Sequence, residues 1–272
     1  MIRLILTATL SLCCASVLRA QDPAPKTAPL VIGETFTLES RILGETRRIN
    51  VYAPPGYAES PGTRLPVLYM PDGGIGEDFL HVAGLVQVSV GNGTMRPFLL
   101  VGIENTERRR DMTGPTQNED DRKIAPRVGG SDAFRRFIRD ELMPEVKRRY
   151  RTTDEKAIVG ESLAGLFVVE TFLLEPALFD TYIAFDPSLW WNDRWLVNHA
   201  RQARRAPHRT LYIATGGDSG LAEPVERLGA ALKEDGGLAW HHEVMPDEKH
   251  STIYHPAALR AFRALFRPDA AR

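Results

Sequence analysis

Cysteine is nearly missing from this 272-residue chain. The two thiols, Cys13 and Cys14, are adjacent and lie near the N-terminus, which excludes a disulfide-stapled scaffold. An excess of either charge is missing too. The 34 Lys and Arg stand against 35 Asp and Glu, so there is no basic footprint for nucleic acid. Past the N-terminal segment no stretch approaches the ~18 consecutive apolar residues of a membrane-spanning helix. No group of His, Cys, Asp and Glu has metal-ligand spacing and no glycine-rich phosphate loop occurs, so neither a metal nor another cofactor is implied. Internal repeats are also lacking. What is present, 43% hydrophobic and 25% charged residues, is the balance of a globular protein with a sizeable core.

The N-terminus has its own grammar. Met1-Ile2-Arg3 carries one positive charge, Leu4 to Val17 contains none, and Ala20 precedes the polar start Gln21-Asp22-Pro23. This is the order of a secretory signal peptide, with an apolar stretch too short to span a membrane. Residues 1–20 therefore read as a signal peptide, 21–34 as a polar tether and 35–267 as the folded domain. Removing 1–20 takes away Arg3, Arg19 and both cysteines, leaving 32 basic against 35 acidic residues and no thiol. Such a chain suits an oxidising periplasmic or extracellular compartment.

Phe36-Thr37-Leu38 and Ile49 to Tyr52 alternate as strands do, and Pro54-Pro55-Gly56 ends the second run. Short continuous apolar runs follow at Val67–Met70, Phe98–Ile103, Ala157–Val159, Tyr182–Phe185, Leu211–Ala214 and Ala239–Met245. Such runs are buried on both faces, as in a parallel sheet covered by helices. Between them, Ser131 is placed to cap a helix bearing Phe134, Phe137 and Ile138, which Pro144 should kink. Leu166 to Leu174 is apolar all round, Val225–Leu232 and Ala257–Phe266 are amphipathic, and strand–helix alternation predicts one α/β domain.

The chemistry concentrates at Gly160-Glu161-Ser162-Leu163-Ala164-Gly165, between the strand Ala157–Val159 and the apolar helix. This is the setting of a nucleophile elbow, G-x-S-x-G, with Ala164 in the last small position. Small residues are needed on both sides because the turn is sharp and the backbone at the serine is strained.

The partners of such a serine follow it in the order acid, then histidine. Asp218, in the turn after Leu211–Ala214, holds the expected place of the acid, and Glu223 is the alternative. Among His241, His242, His250 and His255, only His250 lies in the loop between the last strand and the last helix. Oxyanion donors are expected from the Leu163 N–H and, after the Val67–Met70 strand, from Gly74. Residues 104–127 carry six basic and six acidic side chains and read as a solvated loop bordering the pocket. Trp190 and Trp191 are read either as core or as an aromatic pocket wall.

Several stretches together resemble the esterase branch of the α/β-hydrolases that includes S-formylglutathione hydrolases and trilactone siderophore (enterochelin-type) esterases. They are Leu68-Tyr69-Met70-Pro71-Asp72-Gly73, Val101-Gly102-Ile103-Glu104-Asn105 with Arg108 to Asp111, Gly160 to Phe167, Phe185-Asp186-Pro187-Ser188 and Lys249-His250-Ser251. The resemblance implies a single-domain α/β-hydrolase fold with a mostly parallel central sheet, flanking helices and a small lid or none. It implies Ser162 as nucleophile and His250 as base, and leaves the acid open between Asp218, Glu223 and a Ser–His dyad. The expectation is an exported serine esterase acting on a small-molecule ester, a siderophore trilactone or a simpler acyl ester. An acyltransferase on the same fold and a non-catalytic binding module are the alternatives.

Overall fold

The computed structural model describes residues 27–202, 206–218, 220–233 and 238–268. The predicted signal peptide, both cysteines and tether residues 21–26 lie outside the described residues. The chain divides into two units, Met1–Val31 and Ile32–Arg272, and the fold is that of the second.

Its elements are β1 (Glu34–Ser40), β2 (Glu45–Tyr52), β3 (Leu65–Pro71), α1 (Phe79–Gly91), β4 (Leu99–Ile103), α2 (Arg108–Met112), α3 (Glu119–Lys123), α4 (Ser131–Phe137) and α5 (Met143–Arg149). There follow β5 (Thr152–Glu161), α6 (Leu163–Leu174), β6 (Thr181–Phe185), α7 (Trp191–His199), β7 (Arg209–Gly216), α8 (Ala222–Lys233), β8 (Leu238–Met245) and α9 (Tyr254–Leu265). The strands form one sheet in the order β1-β2-β4-β3-β5-β6-β7-β8. Only the β1–β2 and β2–β4 pairs are antiparallel, and the rest of the sheet is parallel. Every predicted apolar run falls within a strand apart from Phe98, which precedes β4, and the runs of β3 to β7 are buried because helices cover both faces. Ala239–Met245 departs from the expectation of two-sided burial: it is the edge strand β8, and only Met245 in it is buried.

Each face has its own core. One is built from α4, α5 and α6, with Phe134, Phe137, Phe167 and Phe179 among its buried side chains. The other is built from α1 and α9, with Phe79, Val82, Val86, Phe262 and Phe266. Helix α6 is buried from Leu163 to Leu173, as its uniform apolarity predicts, and packs between the sheet and α4, where Phe134 meets Phe167.

Three local expectations are revised. Gly130, not Ser131, is the N-cap of α4. Instead of a simple kink, a π-helical turn at Ile138–Leu142 joins α4 to α5 without a break, and Pro144, at the start of α5, is accommodated by that widened turn. The charge-balanced stretch 104–127 is not a solvated loop. It contains α2 and α3, and Asp111 and Asp121 are buried. Asp111 pairs with the fully buried Arg47 of β2 and with Arg110. Asp121 accepts from Thr116 Oγ1 at 2.6 Å and from the Asn192 N–H at 2.8 Å. That second bond anchors a left-handed turn in which Asn192, Asp193 and Arg194 all have positive φ, between 47° and 62°. Three successive non-glycine residues there are strained, and the buried carboxylate holds them.

Candidate active site

The carboxyl ends of β3, β5, β6, β7 and β8 point to the same edge of the sheet, and the strand order reverses around β3. Ligands of open α/β sheets bind at such a reversal. Ser162 follows β5 with φ 59° and ψ −119°, the strained conformation the motif predicts. Its carbonyl accepts the Leu166 N–H at 2.9 Å and the Ser188 N–H at 3.0 Å, while its own N–H donates to Phe185 O at 3.0 Å. Gly160 makes the turn possible by lacking a side chain, because a Cβ there would lie 2.7 Å from Ala164.

His250, in the β8–α9 loop, places Nε2 3.1 Å from Ser162 Oγ. Its Nδ1 lies 3.2 Å from Asp186 Oδ2. Asp186 follows directly on β6, and the β5–β6 register of Glu161 opposite Phe185 sets it level with Ser162. Its carboxylate is fully buried, and Oδ1 accepts the Gly216 N–H at 2.8 Å. Gly216 leaves the room for this, since a Cβ there would come within 3.3 Å of Asp186 Oδ2.

The carboxylate beside His250 is therefore neither of the two expected ones. Asp218 is exposed in the turn after β7 and acts on the imidazole only through space. Glu223 is in the first turn of α8, paired with Arg194 at 3.5 Å and Arg227 at 3.6 Å. The local geometry decides it: Asp186, at the end of β6, is buried with Oδ1 fixed by the Gly216 N–H and Oδ2 facing His250, whereas Asp218 stays exposed beyond the end of β7.

Leu163 is the first residue of α6, where an N–H has no acceptor within the helix. Gly74 does sit in the loop after β3, but its N–H donates to Glu77 Oε2 at 2.7 Å. Trp190 and Trp191 part company. Trp191 is core, its Nε1 donating to Gly114 O at 2.9 Å, whereas Trp190 remains 47% exposed.

Two further side chains border the site, one from the 104–127 stretch and one from the serine motif, to neither of which the sequence assigns a role. Arg108 makes a two-pronged contact with Asp72, at 2.7 and 2.8 Å. With Arg109, Arg110 and Arg127 it also lines a cleft of about 460 Å³. Glu161, from the motif itself, places Oε1 3.3 Å from His250 Nε2. Burial pushes the Glu161 carboxyl up to about 7, while His250 and Arg108 oppose the rise. The bond to Asp186, followed by the charge of Glu161, holds His250 above the usual imidazole range despite partial burial.

A hydroxyl against an imidazole whose other nitrogen faces a buried carboxylate can deliver an alkoxide-like nucleophile at neutral pH. Fold and constellation together are those of an α/β-hydrolase. Residues 40–254 match the Esterase family ("Putative esterase"), and the chain belongs to it. It is similar to the ferri-bacillibactin esterase of Bacillus subtilis, 31% identical over 83% of this chain and 87% of that one. It is also similar to the siderophore triacetylfusarinine C esterase of Aspergillus fumigatus, 31% identical over 65% of this chain and 63% of the relative. Among solved structures, an IroE-like serine hydrolase from Shewanella oneidensis superposes with a TM-score of 0.77 at 28% identity, covering 88% of this chain and 82% of that one.

Proposed function

We propose that this protein is an exported serine esterase that hydrolyses siderophore esters. The observation that carries the mechanism is the run Ser162 Oγ–His250–Asp186, with both contacts at hydrogen-bond distance. His250 accepts the serine proton as Oγ attacks the ester carbonyl, and Asp186 orients the imidazole and stabilises the imidazolium. The Leu163 N–H, at the positive end of α6, receives the oxyanion. The Gly74 N–H joins it by exchanging the Glu77 carboxylate for the oxyanion. The imidazolium then protonates the leaving alkoxide, and water activated by His250 releases the acid from the acyl-enzyme.

The substrate class is supported by the siderophore esterases among the relatives. Export is supported by the N-terminal pattern, and among the described residues no helix is long and apolar enough to cross a membrane.

A fluorophosphonate probe, with p-nitrophenyl esters and trilactone siderophores assayed in iron-free and ferric form, tests the reading. Wild type should be labelled and should release acid, and S162A should do neither. Labelling that persists in S162A would displace Ser162 as nucleophile. Labelling without turnover of any trilactone would leave an esterase of a different substrate class. Intact mass of the periplasmic protein should correspond to a chain starting near Gln21.

A further inference from the structure

The imidazole of His250 has two carboxylates on it, and only Asp186 is used by the mechanism above. Nε2, the nitrogen that must receive the serine proton, is 3.1 Å from Ser162 Oγ and 3.3 Å from Glu161 Oε1. A ring nitrogen has a single in-plane lone pair or N–H, so it cannot serve both oxygens at once. Glu161 is mostly shielded from solvent, with 16% of its side chain exposed. Its backbone closes β5 immediately before the elbow, so it is adjacent to Ser162 in the chain.

We propose that Glu161 is a positioning residue that competes with Ser162 for His250 Nε2 and holds the imidazole's second proton, so that the pair sets the pH at which the serine is activated. The proposal rests on Ser162 and His250 having the roles assigned above.

The proton inventory is short. One proton on the pair sits either on Nε2, donated to the Glu161 carboxylate, or on the Glu161 carboxyl, donated to Nε2. In both arrangements the nitrogen is turned to Glu161 and not to Ser162. When the pair loses that proton to solvent, the Nε2 lone pair is free to accept the Ser162 hydroxyl. On attack the serine proton moves to Nε2, and the imidazolium so formed again lies beside the Glu161 carboxylate until it protonates the leaving oxygen. The same charge that delays activation on the acid side thus steadies the charged intermediate above it.

The surroundings fit this division. His250 is faced by Asp186 from the β6 end, Glu161 from the β5 end and Asp218 from the β7 turn, with Glu248 and Lys249 beside it on its own loop. Glu161 is faced by Arg108 of α2, by Asp72 after β3 and by Asp78 ahead of α1. The buried Tyr254 hydroxyl of α9 lies within range of the same carboxylates. Burial and the two aspartates oppose a permanent Glu161 charge, while Arg108 and His250 favour it.

The experiment is an NMR titration of the His250 Cε1–H signal, assigned by its loss in H250N, in wild type, E161Q and E161D. Removing a carboxylate at this distance should lower the imidazole midpoint by about 1 pH unit in E161Q, with E161D in between. The acid limb of kcat/KM for p-nitrophenyl acetate should move with it. A midpoint in E161Q within ~0.3 unit of wild type would overturn the proposal. Wild type supplies a readout that needs no variant. The Glu161 carboxyl carbon should show a chemical-shift step at the His250 midpoint as the shared proton leaves, and a Glu161 signal that does not respond at that midpoint would equally overturn the idea. If wild type neither hydrolyses esters nor reacts at Ser162, the esterase reading fails, while the titration still reports on the pair.

Discussion

Replacing Asp186 by Asn is the sharpest perturbation of the site. The substitution keeps shape and retains an oxygen for the Gly216 N–H, but it removes the charge and turns an NH2 toward His250 Nδ1. Two losses then combine. At 3.2 Å the attraction between carboxylate and imidazolium is about 5 kcal/mol at an effective dielectric constant of 20. His250 is half exposed, and solvent screening reduces this to about 2–3 kcal/mol, a factor of roughly 10² in rate. The asparagine NH2 also favours the tautomer with its proton on Nε2, which cannot accept from Ser162. Breaking that new hydrogen bond costs about 1 kcal/mol, roughly another fivefold. The kcat of D186N on a p-nitrophenyl ester should therefore fall by on the order of 10³, with thermal unfolding and far-UV circular dichroism confirming the fold. D218N and E223Q should each stay within about threefold of wild type, as expected for exposed groups away from the imidazole. If D186N keeps more than a tenth of the activity, or if D218N is the damaging change, the argument from β6 geometry is wrong.

Two further outcomes follow from backbone strain. Because Ser162 has φ 59°, S162G should unfold at higher temperature than S162A, by about 2–4 °C for a relief near 1 kcal/mol. Equal or reversed melting temperatures would show that the elbow carries no such strain. D121A removes the carboxylate that binds Thr116 and the Asn192 N–H, and should cost about 2 kcal/mol. It should also open the 188–199 segment to limited proteolysis, and an unchanged cleavage pattern with unchanged melting would contradict the clamp.

The sheet was legible because a strand buried on both faces has no choice but a continuous apolar run. Helix α1 was not legible. Val86, Val88 and Val90 alternate as in a strand, and Gly84 and Ser89 weaken the helical pattern, so only packing against α9 settles it. In the site, Ser162 and His250 could be found because each is tied to a turn of definite type. Asp186 was in view, inside Phe185-Asp186-Pro187-Ser188, yet an Asp before Pro reads as turn chemistry. Its role depends on strand register, which no local pattern encodes. Glu161 was hidden differently, as the unspecified letter of the motif. Similarly, α2 and α3 look solvated because alternating charges score as surface, whereas Arg47 draws Asp111 inward from 64 positions away.

Placing the acid on β6 changes which parts of the surface are free to vary. Ser162 and Asp186 are joined by Ser162 N–H to Phe185 O and by Ser188 N–H to Ser162 O, so two neighbouring strands brace the pair as one rigid bracket. From the end of β7 the site draws the Gly216 amide, which binds Asp186, and the Gly217 amide, which donates to Glu248 O on the His250 loop, with long-range charge from Asp218. Asp218 and Gly220, exposed in that turn, do not keep the catalytic groups in line. That turn can be lengthened, shortened or recoded to meet a substrate of another size while the bracket stays intact. It is the place where a designer would graft a recognition loop.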